Sequence, residues 1–168
     1  LAFTVRYKVM RKKQRIYKRI IYQSISTFSK TIDAKDSYTK GHSKRVALYS
    51  AGIAKRLGFS KDEVERVYLI AILHDIGKIA VADHILRKPE RLDSEELEIM
   101  KNHSVESGKI LSNFTSIKDI SLCVRHHHER YDGKGYPDGL KGEEIPLISR
   151  IIAVADSFDA MTSKRCYR

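Results

Sequence analysis

What this 168-residue chain lacks narrows its chemistry before any motif is read. It has two cysteines, Cys123 and Cys166, and neither has a CxxC partner. A disulfide framework and a thiolate-rich structural zinc site are therefore excluded, and the usage suits a reducing cytosol. No run approaches the ~20 consecutive apolar residues that a membrane helix needs. There is almost no alternation of the strand type, no internal repeat and no low-complexity tract. Most conspicuous, residues 1–30 contain no acidic side chain.

What is present in those thirty residues is nine Lys or Arg: Arg6, Lys8, Arg11, Lys12, Lys13, Arg15, Lys18, Arg19 and Lys30. The rest of the chain carries 23 basic and 21 acidic side chains, so the net charge of +11 belongs to one end. A nucleic-acid polymer is thus disfavoured as a partner. A one-sign run beside a near-neutral body suits a polybasic arm near anionic lipid. It also suits the cytoplasmic exit of a membrane helix lying upstream. The expectation is a cytoplasmic domain, either free or part of an inner-membrane protein. The chain opens on Leu1 instead of methionine and closes on "KRCYR", as a fragment or processed product would. The expected division is a basic linker or signalling helix at 1–32, able to join two copies, followed by one domain at 33–168, truncated at its C-terminus.

Helical spacing recurs throughout, which makes the fold class all-α, a compact bundle behind a long basic N-terminal helix. The first helix is expected over about Tyr7–Ala34. A second places Val46, Tyr49, Ile53 and Leu57 on one stripe. Ser60 followed by Glu63 has the capping-box spacing for a third, which reads on through "EVERVYLIAILHDIG". Ser94 is expected to cap "EELEIMKNHSVESGKIL". Helices over about Ile117–Glu129 and Leu147–Thr162 bracket a glycine-rich loop at 132–146.

At 100° per residue the histidines sort themselves. His42 leads Val46 and Tyr49, His74 follows Val67 and Ile70, and His103 lies one turn from Met100. In "RHHHER", His127 and His128 flank the apolar face of Ile117, Ile120 and Val124, whereas His126 points to the opposite side. Asp75 and Asp156 interrupt apolar helical stretches. Five inward histidines and two buried carboxylates exceed what a bundle needs for hydrogen bonding, because an unpaired carboxylate in an apolar interior is costly. Imidazole with carboxylate suits Fe, Mn, Zn or Ni, and seven donors suit two ions with Asp75 between them.

"HDIGK" followed by "HHERYDGKGYP" resembles the HD-GYP domains, a subgroup of the HD superfamily of metal-dependent phosphohydrolases. The likeness extends through "DSYTKGHSKRVALYS", "MKNHSVESGKIL" and "IPLISRIIAVADSFDAMTSKRCYR", in order, over most of residues 33–168. It implies an all-helical phosphodiesterase that hydrolyses cyclic di-GMP to pGpG or GMP through a metal-bridging hydroxide. It implies His42, His74, Asp75, His103, His127, His128 and Asp156 as ligands of two divalent ions, Fe or Mn by preference. Members with a third ion carry a glutamate where this chain has Tyr38, so two are expected, with Asp36 or a water left to support a third.

Asp75 and Lys78 are the expected catalytic residues, Lys78 also binding phosphate as a point charge. In the loop, Gly133 and Gly135 are expected to admit backbone close to a ligand, Pro137 to limit its conformations, and Tyr136 to offer a ring to guanine. Arg165 and Arg168 match the family's phosphate-contacting arginines, with Cys166 replacing the usual intervening proline. Arg45 reads as a structural ion-pairing residue. The rival readings are a catalytically weak receptor for a cyclic dinucleotide or a protein partner, and a hydrolase of another cyclic dinucleotide.

Overall fold

Capping chemistry fixes where the helices begin. The Ser60 hydroxyl accepts from the Glu63 amide, and the Glu63 carboxylate accepts in turn from the Ser60 amide (2.8 Å), so two donors that the first turn leaves orphaned are satisfied together. In the computed structural model, which describes residues 2–36 and 41–163, every regular element is helical. They are α1 (Ala2–Lys35), α2 (His42–Arg56), α3 (Lys61–Ala71), a 3-10 turn (Ile76–Ala80), α4 (Asp83–Leu86), α5 (Ser94–Lys101), α6 (His103–Ile110), α7 (Ile120–Arg125), a 3-10 turn (Gly142–Glu144) and α8 (Leu147–Thr162). No helix among the described residues is long and apolar enough to cross a membrane.

The bundle is built around α2, which packs against α3 on one side and α8 on the other. Val46, Val67, Ile70 and Ile152 are fully enclosed there, each contributing about 1.5–3 kcal/mol of burial. α7 adds Cys123 and Val124 to the same core, and α1 reaches it through Ile25. Cys123 is an inert packing residue: burial pushes its thiol pKa up to about 12. A satellite cluster of Val81, Ile85 and Leu86 supports the connector to α5. α1 runs unbroken from the basic segment into the bundle and is expressed there by its buried face of Ile25, Ser29, Ile32 and Asp33.

Three helices are shorter than their apolar patterns suggest. α3 stops at Ala71, so His74 and Asp75 lie in a turn and not on the helix. The long helix expected after Ser94 is broken at Asn102, and its cap is Asp93, which forms the box with Glu96 that Ser94 has no partner for. α7 spans only Ile120–Arg125, leaving all three consecutive histidines beyond its end.

The 3-10 turn must nest against α6, and Gly77 is what lets it. Its amide donates to Ser107 Oγ (2.8 Å), whose hydroxyl donates to the His74 carbonyl (2.8 Å). A Cβ on Gly77 would stand 2.0 Å from the His103 carbonyl oxygen and 2.5 Å from the Ser107 nitrogen, both backbone. Gly52, in the middle of α2, has nothing within 4 Å of such a Cβ. Gly77→Ala is therefore expected to destabilise by about 3 kcal/mol or more, as overpacking against backbone does. Gly52→Ala should instead stabilise by about 0.5–1 kcal/mol, the cost of glycine within a helix. Thermal melts of the two variants check both signs; a Gly77→Ala protein that melts like the parent would refute the close packing.

Candidate metal centre

Each helix that ends early ends at a histidine. A helix leaves its last carbonyls without partners, and an imidazole three residues on can take one with Nδ1–H. His74 donates to Ala71 O (2.7 Å), His103 to Met100 O (2.6 Å) and His127 to Val124 O (2.6 Å). That bond fixes the tautomer and leaves Nε2 as a bare lone pair. All three Nε2 atoms are buried and have no hydrogen-bond partner. Orphaned polar atoms are costly in an interior, and three aimed into one space call for an electrophile to share.

Asp75 stands between them. Its Oδ2 lies 3.4 Å from His74 Nε2 and 3.8 Å from His42 Nε2, while Oδ1 lies 3.3 Å from His103 Nε2 and 3.8 Å from His127 Nε2. These separations are long for direct hydrogen bonds and suit donors arranged around a common ion. Two groups result, His42–His74–Asp75 and Asp75–His103–His127–His128, sharing the one carboxylate. Asp156 meets the first group at its rim, 3.3 Å from His42 Nε2. The structure thus brings together all seven residues named from the sequence, and the donor set fits divalent transition-metal ions.

The electrostatics agree with that fit. Burial pushes the His74 pKa down, and burial reinforced by His74 and His103 takes His127 to about 3. His128 is held well below its ordinary value by burial and then by His127. These imidazoles are neutral, as ligands must be. His42 behaves differently: burial opposes its charged form, but the carboxylates of Asp156, Asp75 and Asp159 outweigh burial and raise it to about 8. Burial opposes the charged form of Asp75, but the Lys78 ammonium beside it helps hold it well below the usual carboxylate range.

Two supports escaped the sequence reading, which had named Asp36 alone among their carboxylates. Asp159 is buried, accepts from His42 Nδ1 (2.8 Å) and is gripped by Arg45 from Nε (2.6 Å) and a terminal nitrogen (2.9 Å). It fixes the His42 ring as the helix-end carbonyls fix the others, and Arg45 has the ion-pairing role expected of it. The signal was legible: "DSFD" puts two acids nearly one turn apart in an otherwise apolar helix. The second support is the last turn of α1. Asp33 accepts from Gly41 N (3.0 Å) and Ser43 Oγ (2.6 Å) on either side of His42. Lys35 donates to the carbonyls of Ile79 and Val81 (2.8 and 2.6 Å), and Asp36 pairs with Lys78 Nζ (3.1 Å). Lys78 itself lies 2.8 Å from Asp75 Oδ2, and the two carboxylates overcome burial to raise its pKa.

The glycine-rich loop is tied to the centre by stacking and by backbone packing. The Tyr136 ring lies on His128 with centroids 4.8 Å apart, and Lys101 Nζ lies 5.9 Å from the Tyr136 ring centroid. Gly135 does not make room for a ligand as expected: its Cβ position is 2.3 Å from Arg130 N and 2.6 Å from His128 O, so the contact it permits is with the histidine segment itself. Gly133 serves the turn, at φ +78°. Pro137 follows Tyr136 through a cis peptide bond. His126 points away from the centre, as the wheel has it, yet it is buried and not turned to solvent. Its Nε2 and Arg125 both hold Asp138 (2.8 and 2.7 Å), anchoring the loop. Arg165, Arg168, Cys166 and Tyr38 lie outside the described residues.

Comparison with known proteins follows the same lines. A family model described as HD domain matches residues 26–168. A 3′3′-cGAMP-specific phosphodiesterase of Vibrio cholerae is 43% identical over 86% of this chain and 31% of its own length. The cyclic di-GMP phosphodiesterase response regulator RpfG of Xanthomonas campestris is 42% identical over 87% of this chain and 39% of its own. A cyclic di-GMP phosphodiesterase of Thermotoga maritima is 43% identical over 90% and 42%. The chain thus spans less than half the length of these relatives. Among solved structures, a V. cholerae cyclic GMP-AMP phosphodiesterase gives a TM-score of 0.65 at 16% identity, over 82% of this chain and 39% of that one. An HDG"Y"P protein from Bdellovibrio bacteriovorus gives 0.59 at 21%, over 71% and 40%. Both share the all-helical fold.

The opposed settings of adjacent histidines give a direct test. His127→Ala should remove a donor and lower metal content, measured by elemental analysis after loading with Mn or Fe. His126→Ala should retain the parent's metal content while loosening the loop, seen as faster proteolysis near Asp138. Equal metal loss in both variants would refute the assignment.

Proposed function

We propose that this chain, which belongs to the HD-domain family, is a metal-dependent phosphodiesterase that hydrolyses cyclic di-GMP to pGpG, GMP or both. The observation that supports it most is the single carboxylate of Asp75, shared by two histidine groups in which the buried Nε2 atoms of His74, His103 and His127 have no hydrogen-bond partner. Two divalent ions, Fe or Mn with Ni and Zn as lesser choices, would be held by His42, His74, Asp75 and Asp156 and by Asp75, His103, His127 and His128. When bound they would supply an acidified water as nucleophile and positive charge for the phosphoryl oxygens.

The chain's own residues orient and neutralise. The Asp159 carboxylate and the three helix-end carbonyls hold the imidazoles to one tautomer and one direction. Lys78 presents three donors at the edge of the centre, so a substrate phosphate would replace Asp36 as its second partner. Tyr136, already seated on His128, offers its outer face to a purine, with Gly135 and Pro137 fixing where that face stands. Arg165 and Arg168 would add phosphate contacts from the C-terminal segment.

A second substrate is favoured by one comparison: a 43% identical relative is named as specific for 3′3′-cGAMP. The two cyclic dinucleotides share the phosphodiester and differ in one base, so the same centre serves either.

Protein purified without chelator, loaded with Mn or Fe and supplied with each cyclic dinucleotide, should release linear product from at least one, resolved by chromatography. Chelation should abolish release. Asp75→Ala should lower kcat/KM by at least about 10³-fold, roughly 4 kcal/mol of transition-state stabilisation. A fully metallated protein that binds but never cleaves either dinucleotide would replace the enzyme with a receptor.

A further inference from the structure

The free part of α1 has two unlike sides, and neither touches the metal centre. Val9, Met10, Ile16, Tyr17, Ile20, Ile21 and Phe28 are each between 48% and 63% exposed. At 100° per residue they share about 140° of the helix circumference. Only Arg6 and Lys13 interrupt that arc among the cations, and both have apolar stems long enough to cover neighbouring surface. The remaining cations of the segment, Lys8, Arg11, Lys12, Arg15, Lys18 and Arg19, gather within about 120° on another side. Farther along, the side that meets the bundle carries Ile25, Ser29, Ile32 and Asp33, all buried. Lys18 and Tyr22 lean on Glu65 of α3 from that side. The apolar arc therefore turns away from the folded domain, toward whatever lies outside it.

We propose that this face docks on an anionic lipid bilayer, with α1 lying in the interfacial plane and the HD domain standing on its far side. A helix with an apolar face, a Lys/Arg-rich polar face and too little overall hydrophobicity to span is the form that lies on a membrane. Charge decides between this occupant and a second copy of the chain. Side-by-side pairing of two such helices needs acidic residues to answer the basic ones at the edges of the seam. Two copies joined through the apolar arc would set Arg6 and Lys13, which lie within it, against their counterparts, and residues 1–30 hold no acid to answer them. Anionic headgroups reverse that sign, at about 1 kcal/mol for each Lys or Arg brought to the surface. The inference is independent of the catalytic reading, because no residue of the arc belongs to the centre.

The test is sedimentation of the 168-residue chain with vesicles of phosphatidylcholine, alone or with a minority of phosphatidylglycerol. Binding is expected to the anionic vesicles and to fall at least about tenfold in high salt, since surface charge is screened. The double variant Ile16→Asp/Ile20→Asp changes only exposed positions, so its melting temperature and metal content should match the parent while vesicle binding falls at least about tenfold. Lys12→Glu/Arg19→Glu should lose the preference for anionic vesicles by a similar factor. Three outcomes overturn the proposal: no sedimentation with either vesicle, equal sedimentation with both, or a vesicle-free dimer that Ile16→Asp/Ile20→Asp dissolves. The last would assign the face to a second copy of the chain.

Discussion

The structure depends on one buried carboxylate. Asp75 has a side chain 7% exposed, yet its pKa is held low, so a full negative charge resides inside a small bundle. Left alone it would cost several kcal/mol. Lys78 answers that charge directly at 2.8 Å on one oxygen, whereas the imidazole nitrogens at 3.3–3.8 Å around both present lone pairs, which a shared cation would reconcile with it. α2, α5 with α6, α7 and the 3-10 turn each deliver one of those neighbours, and the last turn of α1 braces two of the deliveries.

This demand explains why the helices are short. A continuous α3 would carry Asp75 round its axis and put Gly77 out of reach of α6. The chain instead leaves the helix at Ala71, tightens into a 3-10 turn and lets Gly77 press on the His103 carbonyl, with the Ser107 hydroxyl bonding the Gly77 amide and the His74 carbonyl. The same economy recurs at Asn102 and Arg125. Ending a helix at a histidine satisfies one orphan carbonyl and orients one ring in a single hydrogen bond, so positional order is obtained without extra residues.

The all-α class, the long N-terminal helix, the Ser60 box and the last helix from Leu147 to Thr162 were legible, because amphipathic spacing and capping boxes are local signals. The histidines that gather round Asp75 were legible too, through residue type and order. Their settings were less so. The wheel turned His126 away from the centre correctly, but the helix it presumed had ended, and the ring is buried and bonded to Asp138, twelve residues on. Gly135 was assigned to ligand approach because nothing local tells that its neighbour is the backbone of residues 128–130. Asp33 and Lys35 carried no motif at all; their partners lie 8 to 46 residues away, and only the folded chain brings them together.

Histidines placed at helix ends have one more effect. The peptide dipoles of a helix sum to a partial negative charge at its C-terminus. α3, α5 and α7 all finish at the centre, and each passes its end carbonyl to an imidazole that faces the same small volume. Those three ends contribute negative potential there, set against the positive N-termini of α2 and α6, and each ring, polarised through its Nδ1–H, carries its helix's share to Nε2. A cation entering meets a potential assembled from backbone, which no single side-chain substitution can erase.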